Sequence, residues 1–121
     1  LKRHRGFGGV SYVYLHRYAD MIQTIGTIMN LEGVEDVLTR EEAASRFRLM
    51  LEHIGDLVVM PDKDTVFGDL KEEFKELGPN YRNHGSLYEK DIPLLIYNAK
   101  GEMPPPEEFQ KNLDLTRMLY R

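Results

Sequence analysis

Gly55-Asp56-Leu57-Val58-Val59-Met60 is a nearly all-apolar run, closed by Pro61-Asp62. A strand with one wet face alternates apolar and polar residues. A run without that alternation reads as a strand covered on both faces, and therefore as the centre of a sheet. The chain before it supplies the covers. Gly33-Val34-Glu35-Asp36-Val37-Leu38 reads as a second short strand. It leads directly into Thr39-Arg40-Glu41-Glu42, which has the spacing of a capping box. The Thr39 hydroxyl can accept from the amide three residues on, and Glu42 can reach back to the Thr39 amide. A helix is expected from Arg40 to about Phe47, with Ala43, Ala44 and Phe47 inward and Arg46 and Arg48 suiting the negative end of its dipole. Further out, Val10–Leu15 is β-branched and aromatic and follows Gly8-Gly9, the signature of a strand. Tyr18–Met29 places Met21, Ile22, Ile25, Ile28 and Met29 at helical spacing. Gly26 weakens that helix slightly, and Asn30 and Gly33 are its stop signals. Leu49–Ile54 bridges the second helix to the central strand. The first half is thus β-α-β-α-β, a mixed α/β (α+β) fold with a small three-stranded sheet and helices packed on it.

The second half is poorer in elements. Asp62 to Tyr81 is charged and irregular, with Phe67 and Leu70 as tethers and a short helix over Leu70–Leu77 ended by Gly78-Pro79. A polar loop, Asn83-His84-Gly85-Ser86, then leads to a strand at Pro93–Tyr97, with proline in the first position, where a strand tolerates it. After a turn at Asn98–Met103, Pro104-Pro105-Pro106 opens a terminal helix. Glu107 and Glu108 complement its first turn, and Phe109, Leu113, Thr116, Leu119 and Tyr120 mark one face. One strand and one helix cannot close a core of their own. They lie against the first half or belong to a larger sheet.

Bulk composition narrows the function classes. The 121 residues are 41% hydrophobic and 30% charged, with a net charge of −4. That balance disfavours a broad nucleic-acid surface, and Lys2-Arg3-His4-Arg5 is a short solvated basic cluster. There is no cysteine. Disulfides and thiolate metal sites are therefore excluded, and the composition fits a reducing, cytoplasmic setting. No apolar run approaches the roughly 20 residues that span a bilayer, and no membrane partner is expected. No signal peptide is visible. The first residue is Leu1 rather than Met, which leads us to expect a longer natural polypeptide.

The residues that could carry chemistry are few. His84 leads, since it sits on a loop beside Gly85 at the mouth of a strand, where α/β proteins often build ligand sites. Spacing alone favours the simpler reading of a surface histidine that caps a turn. His4 and His16 are expected to face solvent, and His53, beside apolar residues, to be structural. No His-x-x-x-His or His-Glu-x-x-His spacing occurs, so there is no complete local zinc motif. Asp62-Lys63-Asp64, with Glu73 at the twelfth position, superficially resembles a calcium loop. Phe67 occupies the position that needs glycine, and the loop is rejected. Glu41 and Glu42 are adjacent on a helix and cannot face each other, so capping and dipole roles suffice. Gly6-Phe7-Gly8-Gly9 precedes a strand, whereas a phosphate-cradling loop follows one and opens a helix. Ser11 and Ser86 have no base nearby in sequence.

Several of these stretches together resemble one family. Gly6–Tyr14 (GFGGVSYVY), Gly33–Ala44 (GVEDVLTREEAA), Ile54–Val59, Asp64–Gly68 and Arg82-Asn83-His84-Gly85-Ser86, with Glu89 and Ile92-Pro93-Leu94, are similar to the C-terminal part of phosphonoacetate hydrolases. These belong to the alkaline phosphatase superfamily, alongside nucleotide pyrophosphatase/phosphodiesterases. The likeness covers nearly the whole chain, and the combination is fairly specific where the His-Gly-Ser element alone is weak.

The resemblance implies a zinc-dependent hydrolase cleaving a phosphonate C–P bond or a related phosphate ester. Members hold two zinc ions with Asp and His ligands, and a threonine acts as nucleophile or as a zinc-adjacent group. The histidine of the late His-Gly element is a zinc ligand, and His84 matches it. The nucleophile and the remaining ligands lie in earlier segments that this chain does not contain, so it is expected to be inactive alone. Residues 1–81 would be a β/α cap-like region, and 82–121 the C-terminal piece of the catalytic core, with its strand and helix in a larger sheet. The implied partners are a small-molecule phosphonate or phosphate ester and the N-terminal catalytic core of the same parent chain. Asn83 stands where members carry Ser before the His-Gly, and the cap lysines that hold a substrate carboxylate match no position here. Two alternatives stand beside this reading: a stand-alone small metabolite- or protein-binding module without catalysis, and a nucleotide pyrophosphatase/phosphodiesterase.

Overall fold

The computed structural model of the protein describes residues 8–68 and 76–120. Its centre is β3 (Leu57–Pro61), flanked by β1 (Ser11–Val13) and β2 (Val34–Thr39) in the order β1-β3-β2. Both neighbours run antiparallel to β3, with Ser11 opposite Val59 and Val37 opposite the same residue from the other side. β1 and β2 are therefore parallel to each other with β3 between them. Every residue of β3 is buried. Val58 and Met60 pack with Leu38, Ala43 and Ile54 under α2 (Arg40–Phe47). Leu57 and Val59 pack with Val37 on the opposite face, under Ile25 and Ile28 of α1 (Met21–Met29). A helix on each face removes the wet side of the strand, which is why the sequence of β3 does not alternate. The continuous apolar run thus reported coverage and central position; it carried no information on strand direction.

α2 forms where the capping box places it. Thr39 Oγ1 accepts from the Glu42 amide, and the Glu42 carboxylate accepts from the Thr39 amide at 2.8 Å. Arg46 in its last turn pairs with Asp36 of β2 at 3.0 Å. α1 begins at Met21 rather than at Tyr18, because Asp20 is its N-cap and accepts from the Gln23 amide at 3.0 Å. β2 contains a bulge between Val34 and Asp36, so Glu35 is the extra residue against β3. A bulge re-aims the side chain it carries. His53 lies on a one-turn 3-10 helix (Leu51–His53) and is exposed, contrary to the structural role its apolar neighbours suggested. Ile54 takes the buried place beside it. His16 is exposed, as expected. His4 and most of the short helix expected over Leu70–Leu77 lie outside the described residues. Phe67 is the tether anticipated for the charged stretch: its amide donates to Gly8 O at 3.2 Å and its ring packs with the α1-side cluster.

The strand expected at Pro93–Tyr97 does not form. The segment is irregular and exposed throughout, with Leu95 at 93% and Tyr97 at 96% of full exposure. A strand is stabilised by the neighbour it pairs with, and no described residue pairs with this segment. The terminal helix is also shorter than expected. Pro106–Glu108 makes a single 3-10 turn, the chain breaks at Phe109, and α3 (Asn112–Leu119) starts beyond it. The Asp114 carboxylate accepts from the Lys111 amide at 2.8 Å and fixes that later start. Lys111 Nζ donates to Arg46 O at 3.1 Å, placing α3 at the end of α2.

Candidate functional site

The loop that bears His84 is held on the sheet from several sides. Gly85 has φ +86°, a left-handed conformation open to glycine at little cost, and it turns the chain sharply after His84. Ser86 caps the following 3-10 turn (Leu87–Glu89). Its amide donates to Glu89 Oε2 at 2.8 Å and its hydroxyl donates to the same oxygen at 2.6 Å, while the Tyr88 amide donates to Ser86 Oγ at 3.1 Å. Those bonds, the hydroxyl first, hold the Glu89 carboxyl below its ordinary value. Leu87 packs against the α2-side core. The Tyr88 hydroxyl donates to Glu35 Oε1 at 2.6 Å, and this bond holds the phenol above its ordinary value. The acceptor is the bulged residue of β2.

The backbone of His84 has a separate anchor. The Gly9 amide, just before β1, donates to His84 O at 2.7 Å. A Cβ at Gly9 would stand 2.6 Å from Ser86 N and 2.7 Å from Ser86 Cβ. The two segments therefore meet so closely that only glycine fits. His84 itself is exposed. Beside the loop lies a cleft of about 830 Å³, lined among others by Asp62, Lys63, Asp64, Arg82, Asn83 and Glu89. Asn83 Oδ1 is buried there without a hydrogen-bond partner. Lys63 and Asp64 pair at 2.9 Å, and that bond raises the lysine above its ordinary value.

An exposed imidazole on a fixed loop is a suitable single nitrogen donor for zinc, which is commonly held by histidine. Among the described residues no group of three or more His, Asp or Glu stands close enough to hold a metal ion. The donor set of the described residues thus fits one ligand of a site and not a whole one. Glu41 and Glu42 make no joint site; Glu42 is occupied at Thr39. Gly8-Gly9, which in the sequence marks the start of a strand and is no phosphate loop, proves to be the seat of the His84 loop. Nothing in the local pattern signalled that pairing, or the bond from Tyr88 to Glu35, since each joins segments distant in sequence.

No family model matches the chain. Two solved structures of phosphonoacetate hydrolase from Sinorhizobium meliloti 1021 are similar to it. The one in complex with phosphonoacetate is 30% identical over 68% of this chain, with a TM-score of 0.58. The one in complex with phosphonoformate is 30% identical over 67%, with the same TM-score. In both cases the match covers 20% of the hydrolase chain, so this chain spans about a fifth of the length of the structures it matches. The likeness is one of sequence as well as fold, and relates the chain to a segment of a hydrolase. No helix among the described residues is long and apolar enough to cross a membrane.

Proposed function

We propose that this chain is the C-terminal part of a zinc-dependent hydrolase acting on a phosphonate such as phosphonoacetate, and that His84 is the one zinc ligand it supplies. The observation that carries the reading is the 30% identity, over about two thirds of the chain, to a segment of phosphonoacetate hydrolase. In such a reaction the C–P bond breaks, water delivers hydroxide to phosphorus and a proton to carbon, and phosphate and a carboxylate leave. Zinc, when bound, polarises the phosphoryl oxygens and stabilises the charge that develops on them. The contribution of this chain is to hold an imidazole nitrogen at a fixed place. Gly9, Gly85 and the Ser86–Glu89 cap keep the His84 backbone from wandering. The nucleophile and the other ligands belong to the N-terminal core of the parent, against which residues 82–121 are expected to lie. The apolar run Pro93–Tyr97 would find there the strand partner it lacks here.

The test uses the intact polypeptide that carries this segment, assayed for phosphate release from phosphonoacetate. Activity should be lost on chelation and restored by zinc. His84→Ala should lower kcat by at least about 100-fold, since loss of a ligand is at least as severe as loss of a group that orients one. Full activity in that variant would remove His84 from the site. Turnover of phosphodiesters without phosphonate cleavage would assign the parent to phosphodiesterases instead. The 121-residue chain alone should show no turnover.

A further inference from the structure

We propose that Gly9 is a positioning residue for His84: it carries no chemistry, and it sets where the imidazole stands. The bond and its surroundings rest on geometry alone; that the imidazole so placed is a metal ligand rests on the reading above.

The Gly9 amide donates to the carbonyl of His84 itself at 2.7 Å. This bond acts on the residue's own backbone. A shift in it moves the Cα from which the imidazole projects. The approach is guarded sterically, because a Cβ on Gly9 would fall within 3 Å of Ser86 N, Cβ and Cα. Two of those atoms are backbone, and a side-chain rotation cannot relieve the clash. The loop on the other side is equally constrained. Gly85 at φ +86° and the Ser86–Glu89 bonds leave no slack next to His84. Gly9 is in turn held by the sheet, since Gly8 bridges to Phe67 and β1 begins two residues later. An alanine at position 9 must therefore push Ser86 outward and carry His84 with it. Metal ligation and phosphoryl transfer tolerate little displacement, and about 1 Å of misplacement can cost on the order of 100-fold in rate.

The experiment has two parts. In the 121-residue chain, NMR should show a scalar coupling through the hydrogen bond from the Gly9 amide to the His84 carbonyl. In Gly9→Ala that coupling should vanish, and the His84 imidazole resonances should shift while those of His16 and His53 stay. Gly26→Ala is the control, since a Cβ there meets nothing within 4 Å; it should leave all histidine resonances in place. In the intact polypeptide, Gly9→Ala should lower kcat on phosphonoacetate on the order of 100-fold with KM little changed. A variant that merely loosened the fold would disturb all histidines and both kinetic constants together. Absence of the coupling in the unsubstituted chain, a measurement that needs no variant to fold, would overturn the proposal. So would unmoved His84 resonances in Gly9→Ala. If His84→Ala keeps full activity while Gly9→Ala still moves the imidazole, the seat stands and the zinc reading falls.

Discussion

Arg40 and Asp56 are joined by a 2.7 Å ion pair that ties three elements to one carboxylate. Asp56 Oδ1 accepts from the Arg40 guanidinium at the start of α2, and Oδ2 accepts from the Leu15 amide just beyond β1 at 2.7 Å. The Arg40 amide also donates to Asp56 O at 3.1 Å, and its Nε to Gly55 O at 3.3 Å. Asp56 itself stands immediately before β3. The pair is about 30% exposed, so its Coulombic part is screened. The bond to the Leu15 amide carries more. Asp56→Ala should cost about 2 kcal/mol in urea unfolding, because it orphans a half-buried amide and a guanidinium together. Arg40→Ala should cost less, about 1 kcal/mol. The double variant should cost less than the two combined. Strict additivity would show that the pair does not act as a unit.

Leu57 is fully buried on the α1 side of β3, opposite Val13 and Thr39 in register. Leu57→Ala should lower stability by about 3 kcal/mol, as a cavity forms where neither flanking strand can collapse. Leu95→Ala, at an exposed position, should change stability by less than about 0.5 kcal/mol. Denaturant midpoints of the two variants check this directly, and similar losses in both would place the core elsewhere.

Glu42 links the capping box to acid stability. Bonds from the Thr39 amide, and then from its hydroxyl, hold its carboxyl below its ordinary value of 4.5. A carboxyl depressed in the folded state binds protons more readily once unfolded. Its contribution is therefore complete above about pH 4.5 and fades as pH falls through the lower folded value. Glu42→Gln should accordingly flatten the acid limb. The gap in denaturant midpoint between wild type and variant should be constant from pH 7 to 5 and narrow below 4.5. A gap that widens on acidification would reverse the sign of this account.

Legibility in the sequence followed the range of the interactions. The start of α2 was readable because Thr39 and Glu42 cap it within four residues. β3 was readable as central because burial on two faces is written into its own composition. The start of α1 is signalled by Asp20 as its N-cap, but the apolar spacing runs on past it towards Tyr18 and hides that signal. The seat of His84 was unreadable. It depends on Gly9 meeting Ser86, and neither segment announces the other. His84 stands out by its polar loop beside Gly85, and only the resemblance gives it a role, while Gly9, Glu35 and Tyr88 needed the fold. The strand at Pro93–Tyr97 had the right residues but lacks a partner among those described, and composition cannot supply one.

That segment gives the last prediction. Ile92, Leu94, Leu95, Ile96 and Tyr97 are all exposed on an irregular stretch with no described strand beside it. Unpaired backbone donors and acceptors next to apolar side chains form a template for pairing with another chain. The chain on its own should therefore self-associate at micromolar concentration. Leu95→Lys with Tyr97→Lys should return it to monomer by adding charge to the exposed run, as sedimentation velocity would show. Because these side chains touch little of the sheet module, its thermal midpoint should stay within a degree or two of the parent chain's. A marked fall in the midpoint would mean that the run packs on the module and is not kept for a larger sheet. A monomer without the substitutions would mean that the run does not act as a template for pairing. The two readouts are independent: association reports the unpaired run, and the midpoint reports whether the module needs it.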